Sequence, residues 1–240
     1  MYEQCLPDNS LDLAISSVAT HYLSKQVCQI KNGVFMGEAD VQEQALMREQ
    51  GKTDWRKFVI SRGRELKPGG VLITMNVSLD KDNNTPTLID KGLGYLGSFV
   101  SEMAKEGVIT QEEYLSTTYH IHYMRTPADF EEPFINDVPE IEELGLELVS
   151  VKTIKQHLQH PLFDTANKGN GERLDYSRRI VAMVYPWFHH VLYMGLSLSR
   201  TEEEKEMVIG QYFRRLQTYA FEHSDNKPYV TMTEVVFKKR

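Results

Sequence analysis

Cysteine is nearly absent from this sequence: Cys5 and Cys28 are the only two in 240 residues. Two thiols build no disulfide framework and show no metal-ligand spacing, so the expected setting is a reduced cytoplasm. An excess of positive charge is missing as well. The formal net charge is −7 at pH 7 and the pI is near 5.7. With Lys and Arg scattered along the chain, this excludes a nucleic-acid binder, which gathers basic residues on one face. No apolar run approaches the length that spans a bilayer, and there is no internal repeat or low-complexity tract. What is present is ordinary for a globular chain: 41% hydrophobic and 25% charged residues, in a length that suits one large domain or one domain with insertions.

A fourth absence is more informative. In RELKPGGVLITMNV, Arg64 to Val77, a helix ends in a charged turn, Pro68-Gly69-Gly70 interrupts it, and a β-branched apolar run follows. Helices feed inner strands in this way in α/β nucleotide-cofactor domains, yet the chain contains no glycine-rich loop of the kind that cradles such a cofactor.

The hydrophobic pattern predicts four strands: Leu11–Ile15 with its flanking serines, Val71–Val77, Leu146–Ile154 and Tyr229–Phe237. Leu11–Ile15 and Val71–Val77 are expected to be parallel neighbours, with Tyr229–Phe237 antiparallel in the same sheet. Asp54 is read as the N-cap of a helix to Leu66 with Trp55, Phe58 and Val59 on its buried face. Further helices are expected over 87–106, closed by Gly107, and after Thr110, over 139–144, over 174–198 with a break at Pro186, and from Thr201 to about His223. Residues 164–173 read as a loop, and 26–50 as an irregular connection that is helical only near its end. The fold class is therefore α/β with an antiparallel finish. Its sheet part is expected from 1–80, 134–160 and 224–240, and a helical cap from 81–133 and 161–223.

Ligands of open α/β sheets sit beyond the carboxyl ends of the strands, and there the chain places Ser16, Ser17, His21 and Tyr22. A neutral imidazole offers one N–H and a phenol one O–H, which together can grip a small anion such as a carboxylate. Taken alone, a Ser-Ser-x-x-x-His string is more often a polar turn. His120 with His122, and His157 with His160, lack the converging Cys, Asp or Glu that a zinc site requires, so no metal is expected. His189-His190 reads as helix packing, and nothing near Cys28 marks it as a nucleophile.

Ser16-Ser17-Val18-Ala19-Thr20-His21-Tyr22-Leu23-Ser24 resembles the S-S-x-x-x-H-W-L-S segment of the SABATH family, S-adenosylmethionine-dependent carboxyl methyltransferases. The likeness is colinear. Tyr2, Pro7, Asn9 and Ser10 resemble the family's upstream F-Y-x-x-L-F-P-x-N-S. Trp55, Phe58, Arg62, Glu65-Leu66 and Gly69-Gly70 resemble its helix and strand entry, Met103 to Ile109 its M-V-x-E-G-x-I cap segment, and Val181-Ala182, Pro186 and Phe213-Arg214-Arg215 its later cap helices. Two positions depart: Val18 stands where the family usually has an aromatic residue, and Tyr22 where it has Trp.

The resemblance implies a partial Rossmann-like class I methyltransferase sheet under a helical cap, with S-adenosylmethionine as cofactor and a small carboxylic acid as acceptor. It implies that His21 and Tyr22 position the carboxylate, that Val18, Ile180, Met183 and Phe213 wall the substrate, and that Tyr2, Ser16 and Ser17 border the cofactor. It also implies three further βα units, roughly 100 residues, ahead of Met1, which would hold the missing loop. A non-catalytic relative that binds a partner is the alternative expectation, and a homodimer is compatible with either.

Overall fold

A computed structural model of the chain describes residues 1–82, 94–117, 122–136, 138–157, 169–225 and 229–240. Four strands form one sheet: β1 (Leu11–Ser17), β2 (Leu66–Val77), β3 (Leu146–His157) and β4 (Tyr229–Lys239), in the order β1-β2-β4-β3. β1 and β2 run parallel, with Leu13 opposite Val71 and Ser17 opposite Met75. β4 is antiparallel to both of its neighbours, with Phe237 opposite Leu72 and Val235 opposite Val151. The parallel pair and the antiparallel last strand are thus as the alternation predicts.

The Pro-Gly-Gly stretch lies inside β2 rather than ahead of it. A Cβ on Gly70 would stand 2.9 Å from the Leu11 carbonyl oxygen and 2.8 Å from that of Lys67, so only glycine lets the two parallel strands close here. β1 lies at the sheet edge, and its Leu13 and Ile15 are 53% and 71% exposed.

One helix, α1 (Val41–Glu65), replaces the two pieces predicted before β2. Asp40, not Asp54, is its N-cap. The Asp40 carboxylate accepts from the Glu43 amide and Glu43 reaches back to the Asp40 amide, satisfying donors that an uncapped first turn would strand. α1 lays Trp55, Phe58 and Val59 against Leu72, Val235 and Phe237 of the sheet. The Trp55 indole N–H donates to the Phe130 carbonyl at 3.0 Å. Phe130 lies in a helix the periodicity did not reveal, α4 (Pro127–Ile135), capped by Thr126 and packed on the sheet-side core although it falls in the 81–133 range. A five-residue helix, α5 (Pro139–Glu143), leads into β3.

The second core is built mainly by four helices, α2 (Gly94–Lys105), α3 (Gln111–Ser116), α6 (Asn170–Gly195) and α7 (Glu202–Glu222), with Val34 and Phe35 of the segment before α1 packed into it. Thr110 and Thr201 cap α3 and α7 as predicted, and Gly107 closes the end of α2 with φ of +74°. The predicted helix over 87–106 is seen from Gly94; its first turns lie outside the described residues, as do His120, His160 and 164–168. Two expectations fail at α6. It begins at Asn170, inside the expected loop, and it runs through Pro186 without a break. Pro186 forfeits one helical bond at about 3 kcal/mol. The face formed by Tyr176, Ile180, Val184, Phe188 and Leu192 is buried against Val208, Ile209, Tyr212 and Leu216 of α7. At about 1.5–3 kcal/mol for each such side chain, this burial outweighs the loss.

Candidate functional site

The site is built where β1 ends. Ser17 is followed by Val18, whose φ of +53° is a conformation β-branched residues rarely adopt. The Val18 amide still donates to the Met75 carbonyl at 2.7 Å, so the turn is held to the sheet. Thr20 is wholly buried, and its hydroxyl donates to Asn76 Oδ1 at 2.5 Å. Asn76 in turn donates to Thr74 Oγ1 at 2.8 Å and to the Thr233 carbonyl at 3.0 Å, which fixes this corner across β2 and β4.

Beyond Thr20 the chain makes one antiparallel bridge, Tyr22 with His122, and the Tyr123 amide donates to the His21 carbonyl at 2.7 Å. The bridge gathers three rings. His21 lies 4.3 Å from the Tyr22 ring centroid and 4.9 Å, edge-on, from that of His122. His21 is 5% exposed, and its Nδ1 has no hydrogen-bond partner among the described residues. Burial, with the Arg125 cation adding to it, lowers the His21 pKa to about 4, so the ring is neutral at pH 7. Burial also lowers that of His122.

Two side chains that sequence reasoning did not single out for the site support this turn. Arg125, 1% exposed, donates to the Thr20 carbonyl and, through Nη2 at 2.6 Å, to the carbonyl of Gly51 on α1. A Cβ on Gly51 would lie 2.4 Å from the Tyr123 ring, so glycine is what lets that segment approach α1. Asp54, read from sequence as a helix cap, is instead buried inside α1. Its carboxylate accepts from the Ser24 amide at 2.8 Å and the Ser24 hydroxyl at 2.7 Å. Neither partnership has a local signature, because Arg125 and Thr20 are 105 residues apart.

The structure brings some of the expected residues together. Tyr22 packs against the helical core that contains Ile180 and Phe213, and Met183 packs on the same core. Ile180 is wholly buried between α6 and α7, and Phe213 is 7% exposed, with its ring 4.8 Å from that of Tyr185. Val18, 46% exposed, and Ser17 face outward at the strand end, whereas Ser16 is half-buried. The Tyr2 hydroxyl lies under the turn and hydrogen-bonds the carbonyls of Thr20 and Tyr22. A separate cavity of about 580 Å³ opens beside α1, lined by Met36, Val41, Gln44, Arg48, Tyr123 and Asp129. Among the described residues no three His, Cys, Asp or Glu side chains are placed to hold a metal, and no helix is long and apolar enough to cross a membrane.

A four-stranded mixed sheet with helices packed on it, joined to a further layer of helices, has the architecture of class I S-adenosylmethionine-dependent methyltransferases. A solved loganic acid methyltransferase with SAH superposes with a TM-score of 0.70 over 100% of this chain and 64% of its own, at 20% identity. The family model for SAM dependent carboxyl methyltransferases matches residues 1–198, and the chain belongs to that family. It is 24% identical over 239 residues to methyltransferase LUC1 of Fusarium sp., covering 93% of this chain and 61% of that protein. It is 29% identical over 126 residues to a probable S-adenosylmethionine-dependent methyltransferase of Arabidopsis thaliana, covering 47% of this chain and 34% of that protein. The chain thus spans less than two thirds of the length of the relatives it matches.

Proposed function

We propose that the chain provides the acceptor side of methyl transfer from S-adenosylmethionine to the carboxylate of a small organic acid. The observation that carries this is the pair formed by His21 and Tyr22: a buried imidazole with an unpartnered ring nitrogen, beside a phenol that leans on the helical layer. A carboxylate is already ionised at neutral pH, so the reaction needs alignment and dryness rather than a general base. A neutral His21 donates one N–H without bringing a charge of its own, and the Tyr22 hydroxyl supplies the second donor. Val18, Met183 and Phe213 border the acceptor's remaining surface, with Ile180 behind them. The sheet segments and the helical layer act as two units in this reading.

The residues present suit one border of the cofactor: the hydroxyls of Ser16 and Ser17 stand at the carboxyl end of a parallel strand, with Tyr2 beside the same turn. When bound there, S-adenosylmethionine supplies an electrophilic methyl group on a sulfonium. The exposed edge of β1, with Leu13 and Ile15, supports pairing of two chains, and two free thiols, one of them exposed, support a reducing cytoplasm.

In a version of the protein that includes the cofactor-binding loop, replacing His21 with Ala removes a hydrogen bond to a charged group, about 1.5–3 kcal/mol, and is expected to lower kcat/KM for an acidic acceptor by roughly ten- to a hundredfold. Unchanged kinetics would remove His21 from the carboxylate grip.

A further inference from the structure

We propose that Asp54 and Arg125 are positioning residues, two buried side chains of opposite charge that hold the ends of Thr20–Ser24 and so aim His21 and Tyr22 at the acceptor. The proposal rests on the carboxylate reading above. At one end, Arg125 donates to the Thr20 carbonyl and, through Nε and Nη2 at 3.2 and 2.6 Å, to the Gly51 carbonyl. At the other, Asp54 accepts from the amide and hydroxyl of Ser24 at 2.8 and 2.7 Å. Both anchors use α1 as their base, since Gly51 and Asp54 lie one turn apart on it.

Charge is expensive to bury unless hydrogen bonds compensate it. Among the described residues neither Arg125 nor Asp54 forms an ion pair within 4.0 Å. Arg125 spends its donors on main-chain carbonyls, and Asp54 spends its carboxylate on Ser24 and on the Gln50 amide group at 2.9 Å. A turn that only had to reverse the chain would not need two buried charges. Charge-assisted bonds of this kind are about twice as strong as neutral ones and define direction as well as distance.

Between the anchors the main chain is tied at nearly every residue. Tyr2 takes the Thr20 and Tyr22 carbonyls, and the Tyr123 amide takes that of His21. Leu23 is buried in a small core with Ile30, Met47 and Tyr123. The backbone is therefore held, and His21 Nδ1 is a buried side-chain nitrogen of the turn with no hydrogen-bond partner among the described residues.

The test is a double-mutant cycle on carboxylate binding by the full chain, followed by calorimetric titration with benzoate and hexanoate. Ser24→Ala removes one hydroxyl from the Asp54 end, and Arg125→Lys keeps the charge but loses the forked grip; far-UV circular dichroism and melting confirm that each variant folds. Each is expected to weaken binding about two- to tenfold in the wild-type background and to have a clearly smaller effect when His21 is already Gln, because part of the effect runs through that side chain and the rest through Tyr22. Equal losses in both backgrounds, or full affinity in both single variants, overturn the proposal. Should Arg125→Lys fail to fold, Ser24→Ala decides by the same criterion. Binding that is indifferent to His21→Gln, or absent for both probes in the wild type, overturns the carboxylate reading and the clamp with it.

Discussion

Glu113→Gln is expected to loosen the helical layer where α3 meets the turn between α6 and α7. Glu113 sits at the third position of α3 and is 2% exposed. Its carboxylate accepts from Arg200 at 2.5 and 2.8 Å, from the Ser197 amide at 3.0 Å and from the Thr110 amide at 2.8 Å. One side chain thus ties α3 to the turn between α6 and α7. The Arg200 hydrogen bonds, aided by the two amides and opposed by burial, hold its pKa near 2 against 4.5 for a free glutamate. A depressed pKa means stability that is fully present above about pH 4.5 and is lost as pH falls toward 2. The shift corresponds to about 3 kcal/mol; discounting for the water-accessible part of Arg200 leaves about 2–3 kcal/mol. The neutral amide keeps the shape and loses most of that, so the melting temperature at pH 7 should fall by about 4–12 °C. Melting of both proteins between pH 7 and pH 3 checks the sign: the gap should shrink as the wild type is acidified. A variant that melts with the wild type at pH 7, or a gap that does not change with acid, refutes the assignment.

Acidification should also expose the His21 turn. A histidine whose pKa falls from 6.5 to about 4 on folding contributes stability above pH 6.5 that is lost as pH drops toward 4. His21→Gln should flatten the melting profile in that window, and a ring-proton titration near 6.5 would contradict the burial argument. Gly70→Ala brings a methyl group within 3 Å of two carbonyl oxygens and should destabilise by about 1–3 kcal/mol by denaturant unfolding; neutrality would mean that β1 and β2 can separate there. Pro186→Ala should stabilise by about 1–3 kcal/mol, because the exposed proline removes one hydrogen bond from a helix that continues past it. A loss of stability would show that the proline ring itself is needed there.

Elements written into a short stretch of sequence were legible. Thr110 and Thr201 with their Glu partners three residues on, the alternation of Tyr229–Phe237 and the apolar run of Val71–Val77 each satisfy their own backbone or present one face within a few residues. The errors fell where two local signals compete. Asp54 reads as a cap although Asp40 is the cap found, and a proline such as Pro186 looks like a stop in any helix. Which signal prevails depends on burial: α1 continues because Trp55 and Phe58 have a sheet to cover, and α6 because α7 covers its inner face.

The candidate site divides in the same way. Its proposed side chains, His21 and Tyr22, were singled out by the colinear resemblance and not by the Ser-Ser-x-x-x-His string alone, and they follow directly on the end of a parallel strand. Their environment could not be read in this way. That His21 is neutral, that Arg125 lies beneath it and that Asp54 holds Ser24 are matters of burial and of hydrogen bonds spanning 30 to 105 residues. Sequence by itself determined the strands, the caps at Thr110 and Thr201 and the polar residues at the strand end, since those follow from backbone donors and side-chain period. Tertiary structure alone decided which charges lost their water and which carbonyls received them, because desolvation depends on everything that packs around a group and not on its neighbours in the chain.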